Sequence, residues 1–124
     1  MHERHPMLHE SGEDYLEAIL MLQQKQGVVR SVDIAQHLGV TKASVSKAMS
    51  QLEFKGYVVM GKRDVRLTEA GLAIAQEILA RHEFFSDLLV RAGVEDDVAS
   101  EEACHMEHCL SSESFEKLKN SLSA

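Results

Sequence analysis

The chain has 124 residues, 44% of them hydrophobic, with a single proline and a formal charge of -7. That balance suits one modest core, or a small module completed by a partner subunit, and excludes a disordered chain. No apolar run approaches the roughly 20 residues that cross a bilayer, and the polar start, with His2, His5 and His9, lacks the apolar stretch of a signal peptide. A cytoplasmic protein is expected. Two cysteines are too few for a disulfide scaffold and predict reduced thiols.

Charge is unevenly placed. From Arg30 to Arg66 seven basic residues face three acidic ones, a balance of +4, whereas six face seventeen, or -11, elsewhere. A basic module beside an acidic one offers a phosphate-binding surface next to a region suited to a cation.

In chain order, Ser11 precedes a helical pattern over Glu13 to Gln26 in which Leu16, Ile19 and Leu20 turn inward, and Gly27 ends it. Asp14 and Glu17, three apart, share a face of that helix near its N-terminus; taken alone, the pair reads as a solvated face favoured by the helix dipole. The next pattern, Val32 to Leu38, is capped by Ser31, and Gly39 turns the chain. Thr41 caps a second helix with Val45, Ala48, Met49 and Leu52 inside. Its outer face carries small side chains flanked by lysines, the pattern of a helix-turn-helix whose second helix enters a major groove. Thr41, Lys42, Ala43, Ser44, Ser46 and Lys47 are the candidates to meet bases.

Tyr57 to Met60 reads as a strand, Gly61 to Asp64 as a turn and Val65 to Leu67 as a returning strand. A basic hairpin after a helix-turn-helix is a wing, with Lys62 and Arg63 placed for phosphates. Thr68 caps a long helix from Glu69 to about Ala92. Ile74, Ile78, Phe85 and Leu89 form an apolar stripe, and His82 falls on it; by itself a histidine there reads as a core residue. Glu95, Asp96 and Asp97 open another helix, and Ser111 or Ser112 a short last one with Phe115, Leu118 and Leu122.

The stretch Cys104 to Leu110 concentrates metal-ligand chemistry. On a helix Cys104, Glu107 and His108 stand at i, i+3 and i+4, so thiolate, carboxylate and imidazole rise from one face. His105 and Cys109 fall about 100° round and read as bland, Cys109 as packed core. One three-ligand face is not a closed zinc cage, so further ligands must come from elsewhere in the chain.

These elements together resemble the diphtheria-toxin-repressor (DtxR) family of metal-dependent transcriptional regulators, in its shorter manganese-regulator (MntR-like) form. The resemblance rests on Glu13-Asp14-Tyr15-Leu16-Glu17, Ser31 to Ala35, Ser44 to Lys47, Leu67 to Gly71, Arg81-His82-Glu83 and Glu102 to Ser111. It implies a mainly α fold, with a winged helix-turn-helix DNA-binding domain over 1–70 and a helical metal-binding and dimerisation domain over 71–124. It also implies that Asp14, Glu17, His82, Cys104, Glu107 and His108 are the metal ligands. The implied activity is that of a homodimer binding a palindromic double-stranded operator when loaded with metal, and repressing metal-uptake genes.

Iron-type members pair a methionine on the first helix with the cysteine, and manganese-type members have aspartate there with glutamate in place of the cysteine; this chain combines Asp14 with Cys104. A thiolate and two imidazoles shift preference from Mn(II) toward Fe(II), with Zn(II) or Co(II) expected to bind in vitro. Fe(II) is favoured, with Mn(II) the close alternative. Iron-type members also place a histidine at the position of Ser100 and a glutamate at that of Ser86, so the iron-type ancillary site is not expected here, whereas carboxylates bridging two ions, as in the manganese type, stay open. The competing function is a winged-helix regulator answering redox or an organic ligand through Cys104 and Cys109. An enzyme is not expected, because the sequence has neither a Gly-rich phosphate loop nor a nucleophile elbow.

Overall fold

The computed structural model describes residues 10–122. Among them are six helices and one antiparallel hairpin: α1 (Glu10–Gln26), α2 (Ser31–Leu38), α3 (Lys42–Phe54), β1 (Val58–Met60), β2 (Val65–Leu67), α4 (Glu69–Arg91), α5 (Asp96–Met106) and α6 (Ser112–Leu122). The chain divides into two compact units, Glu10–Gln76 and a second that begins at Glu77 within α4. No described helix is long and apolar enough to cross a membrane.

In the first unit α1 packs against α2, α3 and β2, burying Leu16 and Ile19 completely beside the equally buried Ile34, Val45 and Met49. The helix starts three residues earlier than its apolar pattern, at Glu10, because the pattern marks buried positions and not the first turn. Ser31 is the first residue of α2 and not its cap. Arg30 takes that place, its backbone N–H donating to Asp33 Oδ2 at 2.9 Å. Gly39, at φ 68°, closes α2 in the left-handed region that a side chain disfavours. Thr41 caps α3 as expected, its Oγ1 accepting the Ser44 N–H at 3.0 Å.

The hairpin pairs Val58 with Leu67, Val59 with Arg66 and Met60 with Val65. Val58 and Val65 point into the core while Val59 and Arg66 face outward, the two-residue alternation of a half-buried sheet. The Val65 N–H also donates to the Val29 carbonyl at 2.7 Å, which ties the returning strand to the segment after α1. The first strand begins at Val58 and not Tyr57.

Thr68 joins the hairpin to α4. Its Oγ1 donates to the Gly56 carbonyl at 2.7 Å and accepts the Gly71 N–H at 3.1 Å, while its own N–H donates to the Tyr57 carbonyl at 3.1 Å. This knot draws the first turn of α4 so close to Tyr57 that a Cβ at Gly71 would run into the Tyr57 backbone carbonyl.

The second unit has an aromatic core. Phe85 and Phe115 are buried, and Phe84 stands edge-on to both, with ring centroids 5.4 and 5.5 Å away. Ala103 is buried with them, and Met106 and Leu118 pack around the cluster. Ser111 caps α6, its Oγ accepting the Ser114 N–H at 3.0 Å. Gly71→Ala should destabilise the protein by about 1–3 kcal/mol, seen as an earlier urea midpoint; an unchanged midpoint would show that α4 can back away from Tyr57.

Candidate metal centre

The second unit gathers three of the expected ligands. His82, half-buried on α4, turns Nδ1 toward α5, with Cys104 Sγ at 3.6 Å and Glu107 Oε2 at 3.8 Å. His82, Cys104 and Glu107 each offer a ligand atom within 4.8 Å of the others. The histidine on an apolar stripe is therefore no ordinary core residue: its polar edge faces a thiol and a carboxylate. Those two groups, Cys104 first, raise its pKa from 6.5 to about 10, against the opposing effect of its burial. A cation can take Nδ1 only if that proton leaves.

Glu107 is the centre of the group. It is 0% exposed, and among the described residues neither carboxylate oxygen accepts a hydrogen bond. His82 Nδ1 lies 3.8 Å from one oxygen and His108 Nε2 3.8 Å from the other. A buried carboxylate without donors is costly, and imidazoles on both sides with a thiol beside one of them are what a transition-metal ion requires. The residues therefore fit a divalent cation, and one seated there would supply the positive charge that the carboxylate lacks.

The expected ligand face is not wholly helical. The last residue of α5 is Met106; Glu107 caps it, its N–H still donating to the Ala103 carbonyl at 3.0 Å, and His108 lies in the turn beyond. Cys109 is exposed and not packed in the core, its Sγ donating to the His105 carbonyl at 3.3 Å. Asp14 and Glu17 belong to α1 in the first unit, half-buried and buried respectively. Ser100, marked from sequence only as a departure, lies with its Oγ 3.4 Å from His82 Nε2, one helical turn before Cys104. The hydroxyl meets one edge of the ring while Nδ1 faces the thiol. The four-residue spacing from Cys104 was its only signal.

In the first unit the nucleic-acid candidates Thr41, Lys42, Ala43, Ser44, Ser46 and Lys47 on α3, and Lys62 and Arg63 in the hairpin turn, are all exposed. Thr41 Oγ1 also donates to Ser44 Oγ at 2.9 Å, so those two hydroxyls share the start of α3.

Two family models match most of the chain: the iron dependent repressor N-terminal DNA binding domain over residues 7–64, and the iron dependent repressor metal binding and dimerisation domain over residues 68–124. The chain belongs to the iron-dependent repressor (DtxR/MntR) family. It is 35% identical over 113 residues to an uncharacterized HTH-type transcriptional regulator of Methanocaldococcus jannaschii, covering 89% of this chain and 90% of that one. It is likewise 35% identical over 108 residues to the transcriptional regulator MntR of Escherichia coli, covering 86% and 70%. Among solved structures, a manganese-dependent transcriptional repressor in complex with manganese superposes with a TM-score of 0.80 at 27% identity, over 90% of this chain and 52% of that one. IdeR of T. acidophilum gives 0.78 at 25%, over 100% and 56%. This repressor therefore spans about half the length of those two solved chains.

Members of the iron-dependent repressor family are DNA-binding transcriptional regulators and not enzymes, and this one is a metal-dependent transcriptional repressor of the MntR/DtxR type. A divalent cation at about 100 times its dissociation constant should stabilise the metal-free protein by about 2.7 kcal/mol. Thermal unfolding with cation and then with excess chelator checks this; Glu107→Ala should lose the increment, and an increment unchanged in that variant would remove Glu107 from the site.

Proposed function

We propose that this repressor is a homodimer that senses cellular Fe(II), with Mn(II) as the competing ion, and that it shuts down metal-uptake genes by binding a palindromic operator. Residues 1–70 would carry the DNA-binding surface and residues 71–124 the metal-binding and dimerisation surfaces. Asp14, Glu17, His82, Cys104, Glu107 and His108 would hold the cation. The observation that carries this assignment is the buried Glu107 carboxylate, without hydrogen bonds and flanked by two imidazoles, one of them beside a thiol.

A bound cation would supply the charge that lets four acidic groups, Asp14, Glu17, Cys104 and Glu107, share one site with two neutral imidazoles. Without it, mutual repulsion favours separation of the α1 acids from the α5 ligands. Closing the ligands together fixes α1 relative to the dimerisation module, and so fixes the spacing and angle at which two copies of α3 meet successive major grooves. Metal binding and operator binding are then linked, with a coupling of about 1–3 kcal/mol, and each ligand tightens the other.

Two lines bear on the ion. The Escherichia coli relative is the transcriptional regulator MntR and a similar solved structure is a manganese-dependent repressor, whereas the Cys104 thiolate and two imidazoles favour a softer ion than a carboxylate set does. We favour Fe(II) on the donor set. Because affinities rise along the divalent series toward copper, tighter binding of Co(II) or Zn(II) in vitro does not identify the cellular ion.

Anaerobic titration of the metal-free protein with Fe(II) and Mn(II) in turn, while following binding to DNA from its own promoter, separates the candidates. Activation at lower free Fe(II) is expected; an equal or better response to Mn(II) assigns manganese, and a response to oxidant but to neither cation assigns a thiol sensor working through Cys104 and Cys109. Asp14→Ala should abolish the metal dependence of operator binding, and retained dependence removes Asp14 from the site. Lys62→Ala and Arg63→Ala should each weaken binding to specific and random DNA alike and lower the salt slope by about 0.9; an unchanged slope would take the wing off the phosphates.

A further inference from the structure

Arg81 stands one residue before His82 on α4 and is 4% exposed. Its guanidinium reaches the end of α5. Nη1 donates to the Glu107 carbonyl at 3.1 Å and to the Leu110 carbonyl at 2.5 Å, and Nη2 donates to Glu77 Oε2 at 3.1 Å and Ser112 Oγ at 3.3 Å. Ser112 Oγ in turn donates to Glu77 Oε1 at 3.0 Å, and the guanidinium carbon lies 5.5 Å from the Phe115 ring centroid. All four Nη hydrogens thus have acceptors, and a buried positive charge has a carboxylate beside it.

Two of those acceptors are main-chain carbonyls bracketing the turn in which Glu107 and His108 sit. The Glu107 carbonyl, at the C-terminus of α5, lacks an intrahelical donor and attracts a cation, so the guanidinium caps it, while the Leu110 carbonyl belongs to the loop beyond. His82 and Arg81 point about 100° apart around α4, which lets the two neighbours grip the same turn from different sides. His82 faces the Glu107 side chain while Arg81 holds the Glu107 backbone.

We infer that Arg81 is a positioning residue for the metal centre, a guanidinium clamp that sets the backbone of Glu107 and His108 at a fixed distance from His82 and so preorganises the cation site. This rests on the proposed metal site and adds to it a residue that contributes no ligand atom. Glu77 and Ser112 complete the clamp by fixing the planar fork, and lysine, a point charge on a flexible stem, cannot satisfy two carbonyls, a carboxylate and a hydroxyl in that geometry.

The test uses Co(II), whose visible bands report coordination geometry and whose thiolate charge-transfer band reports Cys104. Full-length wild type, Arg81→Lys and Glu77→Gln are titrated anaerobically, with Leu118→Ala as a variant that loosens the same core without touching the clamp. Arg81→Lys should bind Co(II) roughly 10–100-fold more weakly, with altered visible bands and the charge-transfer band retained. Glu77→Gln should show a smaller loss in the same direction, which keeps the inference testable if Arg81→Lys does not fold. Leu118→Ala should lose stability while keeping the wild-type spectrum. Wild-type affinity and spectrum in both clamp variants would overturn the inference alone, as would an altered spectrum in Leu118→Ala matching theirs. Wild type that takes up no Co(II) would overturn the metal site and the clamp with it.

Discussion

A carboxylate buried without a hydrogen-bond donor is the constraint around which the second unit is arranged. Taking a charged group out of water costs several kcal/mol even after the surroundings relax. Glu107 meets that cost without hydrogen bonds: imidazoles stand 3.8 Å from each of its oxygens, that of His82 with its pKa raised to about 10. The raised pKa of His82 is one way of meeting it, because the imidazole keeps a proton beside the thiol and the carboxylate. A cation seated there would have to displace that proton.

The turn that bears Glu107 needs a rigid support, and the support is unusual in being polar. Phe84, Phe85 and Phe115 fill the core of the unit, but aromatic packing does not specify where a helix end points. Directional contacts do. Arg81 provides them by donating to carbonyls on both sides of the turn while its other nitrogen is held by Glu77 and Ser112. The residue that senses the carboxylate and the residue that holds its backbone are thus consecutive on α4, so any displacement of that helix moves both together.

The first unit follows a different economy, in which local bonds fix the starts of its helices. Thr41 and Thr68 each spend one hydroxyl at the start of a helix. Thr68 closes the hairpin onto α4 as well, at a point where only glycine fits opposite Tyr57. The outward side chains of α3 and of the Lys62-Arg63 turn take no part in the core, which leaves them available to a polyanion. The core and the exposed basic side chains therefore occupy opposite faces of the same short elements.

Periodicity and punctuation were enough to place α3, the hairpin turn, α4 and α6, because a capping threonine or serine, a glycine stop and an apolar stripe are local signals. The same spacing rules put Cys104, Glu107 and His108 near one another, since residues three and four apart can meet without knowledge of the fold. They could not say that α5 would stop at Met106, nor that Arg30 would displace Ser31 as the cap of α2, because competing caps differ by only about 1 kcal/mol. They also misplaced Cys109 in the core. Tertiary structure alone decided that His82 turns its polar edge to the thiol and the carboxylate, that Ser100 meets its other nitrogen, and that Arg81 spans 26 and 29 residues of sequence to hold two carbonyls. Backbone acceptors leave no trace in residue identity, so a clamp built on them is invisible until the chain has folded.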